Sequence, residues 1–415
     1  FCLDYAGMEV ADLDAIAFYD KPLLKFERLL ETYYNFAPKG LFSFLRSMPV
    51  WSKEKLFLKS TLRKELRQLS GQKQVPKLLF PQHHLSHAAS AFYPSPFERS
   101  AILTIDGVGE WATASICLGE GRSISLLKEL RFPHSLGLLY SAFTYFLGFK
   151  VNSGEYKLMG LAPYGNPADP EVERFISIIE DKLLKIRADG SIWLDQSYFD
   201  YATGMRMIRE EKWKSLFGFP TRPAESPLRP QHCNRALAIQ RVTEKVVLLM
   251  AEEAKKLTRS EFLCLAGGVA LNCVANGKLL QTSLFKDLYI QPAAGDAGGA
   301  VGAALAAHHL FFEKGRMVDP DHDKMKGAYL GPEYPSTEIE KVVRRYDAVF
   351  ELPENKDILL EKVAEVLATG NVVGWFQGRM EFGPRALGKR SILADVRNPK
   401  IQKMLNLKIK YRESF

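Results

Sequence analysis

One local pattern occurs twice in this chain: a short apolar run, a polar or glycine-rich turn, and then a helix built of small residues. The first copy is "KLLFPQHHLSHAASAFY", starting at Lys77, and the second is "DLYIQPAAGDAGGAVGAALAAHH", starting at Asp287, about 200 residues further on. A strand feeding a close-packed helix is an α/β building block, so the recurrence restricts the fold to a layered α/β architecture with related halves. Between the copies, "SAILTIDGVGEWATASICLGEGRSISLLKEL" alternates apolar and polar residues through glycine-containing turns, which predicts an antiparallel meander. "FLCLAGGVALN" predicts a buried strand entering a glycine turn and then a helix.

Both units resemble the last strand and helix of a ribonuclease-H-like lobe. The layout suggests two duplicated α/β lobes with a ligand cleft between them, as in the actin, sugar-kinase and heat-shock ATPase superfamily. Residues 1–320 are read as these lobes, the first incomplete over 1–98 and the second over 99–320. In the first, only a helix-like "DYAGMEVADL", the strand "AIAFYD" and the histidine-bearing unit are present. A polar, Pro/Gly-containing connector follows over 321–339, and a further unit occupies 340–415. The chain begins at Phe1 and stops within a basic motif, "KYRESF", and we expect it to be a piece of a longer protein at both ends.

With 415 residues, 47% hydrophobic and 25% charged, the chain can bury more than one globular core. No apolar run reaches the roughly 18 residues of a membrane span. Cys2, Cys117, Cys233, Cys264 and Cys273 form no CxxC pair, which argues against a disulfide framework or a thiolate zinc site and fits a reducing cytoplasm. The net charge of +8 is compatible with nucleic-acid binding but is concentrated in two stretches. Trp51 to Lys77 holds eight Lys/Arg against two Glu and reads as a solvated helical face. Arg385 to Arg412 holds nine Lys/Arg against one Asp and, being mixed with glycines, reads as an anion site. Neither nucleic acid nor membrane is expected as a partner, and homo-oligomerisation is left open.

His83 and His87 stand at i, i+4, so on a helix their imidazoles share a face and can share a metal ion. An isolated pair of this kind is more often surface or core histidine. Asp106 strengthens the reading, because an aspartate ending the buried run "AILTI" needs a partner for its charge. Asp296, in "AAGDAGGA" of the second unit, can complete the set from across the cleft. Two imidazoles and two carboxylates suit iron, manganese or zinc. His84 points off the shared face and reads as a local hydrogen-bonding residue. Gly267 and Gly268 precede a helix start, where backbone N–H groups attract phosphate, although a tight packing turn explains them equally well. Asn272 either contacts a ligand or caps locally. Gly137 opens a helix whose aromatic continuation covers a base or simply fills the core. In "EFGPRALGKRS", Arg385, Lys389 and Arg390 are held by Gly383, Pro384 and Gly388, a setting for phosphate or carboxylate recognition, with Lys410 and Arg412 extending the basic surface.

Together, "HHLSHAASAFYPSPFERSAILTIDGVGEW", "GEYKLMGLAPYG", "GGVALN", "GDAGGA", "GRMEFGPRALGKRSILADVR" and "KYRESF" resemble, in order and along nearly the whole chain, the O-carbamoyltransferases of nodulation and antibiotic-tailoring pathways, the NodU/CmcH type. The resemblance implies a transferase domain similar to the universal tRNA threonylcarbamoyl transferase, followed by a partial YrdC-like α/β domain. It implies that carbamoyl phosphate and ATP, the latter with Mg2+, give carbamoyl adenylate, whose carbamoyl group passes to a hydroxyl of a small-molecule acceptor. By the same resemblance His83, His87, Asp106 and Asp296 hold a divalent transition metal, iron first, with manganese or zinc as alternatives. Asp106, Gly137, Gly268 and Asn272 surround the adenylate, and Arg385, Arg390 and Lys410 form the ATP and carbamoyl-phosphate pocket. The general base is expected upstream of Phe1. The rivals are a tRNA threonylcarbamoyl transferase, a sugar kinase or ATPase of the same superfamily, and a non-catalytic nucleotide-binding module.

Overall fold

The computed structural model describes residues 1–72, 74–410, 413 and 415, with the backbone alone for 54 and 55. The fold is α/β and divides into two compact units, Phe1–Lys324 and Met325–Phe415, so the division falls inside the segment read as a connector.

In the first unit a two-stranded parallel sheet joins β1 (Ala15–Ala17) to β2 (Lys77–Leu79). The main sheet has five strands. Its meander is β3 (Arg99–Ile105), β4 (Ala112–Glu120) and β5 (Ser123–Arg131), as the alternation predicts. A small hairpin, β6 (Leu184–Ile186) with β7 (Ile192–Leu194), stands apart from it. On the other side of β3 lie β8 (Phe262–Ala266) and β9 (Asp287–Ile290), both parallel, giving the order β5-β4-β3-β8-β9. β3 is central, with every residue after Arg99 buried, so the carboxyl end of its apolar run delivers Asp106 to the sheet's edge in the manner of α/β ligand sites.

The helix His83–Phe92 packs on the main sheet through Ala88, Ala91 and Phe92, against Ile102, Cys117 and Cys264. The 29-residue helix Pro230–Thr258 lies against β3 and β4, burying Ala236, Ile239, Val242, Val246 and Met250 at helical spacing. The two sequence-related helices, His83–Phe92 and Asp296–Ala306, cross each other directly. Gly302 makes the crossing possible: a Cβ there would overlap the Ser86 carbonyl oxygen, with Ser86 C at 2.7 Å and Ser90 N at 2.8 Å. Gln291 donates to the Ser90 carbonyl and fastens the same junction.

The "DYAGMEVADL" stretch is not one helix. Gly7, at φ 62, ends Cys2–Ala6 in a left-handed turn, and a short 3-10 turn, Val10–Asp12, follows. The basic stretch does form a solvated helix, Leu58–Ser70, which buries none of its residues. The ring-lined helix Leu136–Phe146 is core: Phe143 and Phe146 are buried.

The second unit contains helices Ser336–Arg345 and Lys356–Ala368 and an antiparallel hairpin of β10 (Val373–Phe376) and β11 (Arg390–Leu393). Arg412 lies outside the described residues.

Candidate metal centre

The His83–Phe92 helix starts after Pro81 and Gln82, and neither supplies a side-chain cap. Its first N–H is taken instead by a residue far along the chain. Both carboxylate oxygens of buried Glu110 accept from His83 N, at 3.1 and 3.0 Å, and Oε1 also accepts from Lys21 N at 2.7 Å. A carboxylate at a helix N-terminus is favoured by the helix dipole, so Glu110 fixes where the helix begins and how His83 is presented.

From that start the i, i+4 spacing brings His83 Nε2 and His87 Nε2 to 3.0 Å. Asp106 Oδ2 lies 3.0 Å from the first and 3.5 Å from the second. Asp296 Oδ1 lies 3.5 and 3.8 Å from the same two atoms. All four ligand atoms fall within 4.8 Å of one another. Ligands bound about 2.1 Å from one ion sit roughly 3.0–3.4 Å apart from each other, so the spacing suits a single small divalent cation. The two nitrogens and two oxygens are also the mixed donor set the sequence suggests for iron, manganese or zinc.

Each ligand is held differently. Asp106 Oδ1 accepts from Gly268 N at 3.1 Å, which turns Oδ2 toward the histidines. Burial alone would raise the Asp106 carboxyl, but the hydrogen bonds from His83 and His87 outweigh it and hold it well below the usual carboxylate range. His83 and His87 are buried to 1% and 0% exposure, and the Nδ1 of each has no hydrogen-bond partner among the described residues. Packing therefore orients these rings: His83 lies edge to face with His87 at 4.6 Å and tilted on Tyr19 at 5.5 Å. Asp296, at 57% exposure, forms the open side.

His84 is the local residue expected, its Nδ1 being 2.9 Å from both Thr104 Oγ1 and Ser115 Oγ. Burial and the neighbouring His87 lower it to about 3, so it is neutral at ordinary pH.

Gly137 and Gly268 both adjoin Asp106. A Cβ on Gly137 would meet Asp106 O at 2.5 Å, and one on Gly268 would meet Asp106 Oδ1 at 3.1 Å. Because Gly268 N–H is given to Asp106, its contribution is close approach rather than a free donor. Gly267, at φ 87, turns the chain where a side chain would meet Ile105 C at 2.6 Å. Asn272 is a cap: its Oδ1 accepts from Ala275 N at 3.1 Å, and its carboxamide pairs with Gln240 at 3.0 and 3.1 Å.

Two neighbours of the cluster escape the sequence reading. Glu110 sits in the quoted "DGVGEW", where nothing local links it to a backbone N–H on another element. Tyr19 is the last but one residue of "AIAFYD", with its ring against His83 and Gly299 and its hydroxyl hydrogen-bonded to Asp296. Burial, then the charge of Asp296, raises that phenol to about 12.

In the second unit Arg390 is turned onto Glu381, Nε to Oε2 at 2.8 Å, rather than left open. Glu381 Oε1 also accepts from Leu387 N at 2.7 Å and Lys389 N at 2.9 Å, so this buried carboxylate organises the glycine-pinned turn. Arg385 is half-buried with no partner among the described residues, Lys389 stands over the Tyr329 ring at 4.9 Å, and Lys410 is exposed. Burial alone would raise the Glu381 carboxyl, but those N–H groups and Arg390 lower it from 4.5 to about 2. A depressed carboxyl stabilises the fold above its unfolded value and ceases to as pH falls through the folded one. The turn is therefore expected to lose stability between about pH 4.5 and 2. Amide protection at Leu387 and Lys389, corrected for intrinsic exchange, reports it; the same pH profile in Glu381→Gln would disprove the carboxylate's part.

Residues 1–305 match the family model for the carbamoyltransferase N-terminus, and 364–415 the model for the carbamoyltransferase C-terminus. The uncharacterized protein sll1178 of Synechocystis is 55% identical over 100% of this chain and 67% of its own length. Nodulation protein NolNO of Sinorhizobium fredii is 35% identical over 100% of this chain and 56% of its own. A 3'-hydroxymethylcephem-O-carbamoyltransferase of Streptomyces clavuligerus is 33% identical over 52% of this chain and 40% of its own. The chain thus spans between two fifths and two thirds of the length of these curated relatives. The crystal structure of T. kodakarensis HypF aligns over 62% of this chain and 39% of that one at 16% identity, with a TM-score of 0.30, too low to bear on the fold. By its two matched family models, the first spanning most of the chain, and by relatives it matches from end to end, the chain belongs to the carbamoyltransferase family.

Proposed function

We propose that the protein takes part in ATP-dependent O-carbamoyl transfer, with carbamoyl phosphate, water and ATP giving carbamoyl adenylate, phosphate and pyrophosphate, and a small-molecule hydroxyl receiving the carbamoyl group. The observation that carries the reading is the convergence of His83, His87, Asp106 and Asp296 within 4.8 Å, beside the Gly267–Gly268 turn. These four residues would hold a divalent iron, manganese or zinc ion. When bound, the ion would supply Lewis-acid polarisation of the carbamoyl carbonyl.

The chain's own residues do the rest. Asp106, kept ionised, joins Asp296 in offsetting positive charge at the centre. Gly137 and Gly268 let their turns pack directly on Asp106, where a Cβ would meet its O at 2.5 Å and its Oδ1 at 3.1 Å, and the proposal sets the adenylate beside these turns. The acceptor oxygen attacks the carbamoyl carbon, the bond from that carbon to the phosphate oxygen breaks, AMP leaves, and the acceptor proton passes to a base. The cephem relative's name specifies a hydroxymethyl acceptor, which supports an alcohol here. In the same reading the first unit contains ribonuclease-H-like lobes, and a three-strand meander leading into two parallel strands supports that. The second unit would then begin a YrdC-like domain, with Arg385, Arg390 and Lys410 facing ATP and carbamoyl phosphate.

The test is mass spectrometry of candidate alcohols incubated with the protein, ATP and carbamoyl phosphate. A mass gain of one carbamoyl group, with AMP released, is expected. AMP production without a carbamoylated alcohol would contradict the transfer step.

Tyr19→Phe removes only the hydroxyl that steadies Asp296, and outer-shell partners of this kind typically contribute about tenfold or more in metal affinity. Weakening of that order is expected in competition with a chromogenic chelator. Unchanged affinity would exclude Tyr19 from the centre.

A further inference from the structure

The helix Leu41–Val50 turns Ser43, Phe44, Ser47 and Met48 inward and leaves a largely apolar side exposed. Its inner face is attached to the first unit: buried Ser43 donates to the carbonyls of Gly40 and Thr203, and Phe44 meets Tyr33 edge-on at 5.2 Å. At about 3.6 residues per turn, Phe42, Leu45, Arg46 and Pro49 share the opposite face. Phe42 is 73% exposed, Leu45 62%, and the flanking Leu41 and Val50 64% and 49%. The outward face of a surface helix is ordinarily polar, and a contiguous exposed apolar patch marks a binding surface.

Charge indicates what it binds. Arg46 lies on this face, and the segment continues through exposed Lys53, Lys59, Arg63, Lys64 and Arg67, with Glu65 the exposed acid among the described side chains. Arg46, Lys53, Lys59, Arg63 and Lys64 have no ion-pair partner among the described residues. Exposed Phe and Leu, followed along the chain by unpaired cations, are the two elements an interfacial segment uses: side chains that enter the headgroup–acyl boundary, and charges that meet lipid phosphates.

We propose that this segment is a docking surface for an anionic lipid bilayer, with Phe42, Leu45 and Val50 entering the boundary and the cations contacting the headgroups. The chain would lie on the membrane, not across it; no helix is long and apolar enough to cross one among the described residues. The expectation of no membrane partner rested on the missing span, which does not bear on a surface-bound helix.

The experiment is co-sedimentation of the whole chain with vesicles of phosphatidylcholine alone or mixed with phosphatidylglycerol. Partition into the mixed vesicles only, weakening with salt, is expected. Phe42→Ser with Leu45→Ser should lower it at least about tenfold, with unchanged circular dichroism and melting because both side chains face outward. Absence of partition, or partition indifferent to the double substitution, would overturn the proposal. So would self-association in the absence of lipid that the double substitution abolishes while vesicles leave it unaffected, since the face would then join two copies of the chain.

Discussion

Gly302→Ala is expected to cost more than about 3 kcal/mol of stability in the first unit, beyond the usual range for overpacking. The atoms a new Cβ would meet are the Ser86 carbonyl group and Ser90 N, all backbone, so no rotamer change relieves the clash. The two crossing helices must move apart, and a packed interior transmits such a shift instead of absorbing it. Because native stability is only about 5–15 kcal/mol, a cost of this size leaves little margin. The same movement separates Asp296 from His83 and His87, so metal affinity should fall along with the melting temperature. A variant that melts with the wild type would show that the helices do not cross at Gly302.

His87→Ala is expected to remove more than nine tenths of bound metal, as the proposed centre loses a ligand whose replacement no neighbour supplies. His83 and His87 are buried as completely as core residues, so truncation also leaves a cavity, costing about 2 kcal/mol or more. Elemental analysis beside thermal melts separates the two effects. Metal content at the wild-type level would refute the ligand assignment even if stability fell.

The four candidate ligands were legible from local patterns: helical spacing for His83 and His87, the end of an apolar run for Asp106, and the turn of the second sequence-related unit for Asp296. The meander was legible from alternation, and Gly137 and Gly268 from their turns. What stayed hidden depends on groups meeting across long separations. Nothing near Glu110 announces that it caps a helix beginning at His83, because a carboxylate accepts from any N–H within reach. Tyr19 reads as the end of a strand until Asp296 lies beside it. Arg235 is buried among Phe146, Phe175 and Phe219, a cation–π arrangement that a charged residue in a helical pattern gives no reason to expect. At Asn272 the sequence left ligand and cap both open, since one carboxamide serves either; its Oδ1 caps the helix at Ala275 and its amide pairs with Gln240.

The central proposal, one divalent ion held jointly by both sequence-related units and the end of β3, is tested most directly by anomalous diffraction from crystals of the chain grown with manganese. A single strong peak is expected at about 2.0–2.3 Å from His83 Nε2, His87 Nε2, Asp106 Oδ2 and Asp296 Oδ1. A map with no peak among these four atoms, or with its strongest peak on other side chains, would contradict it.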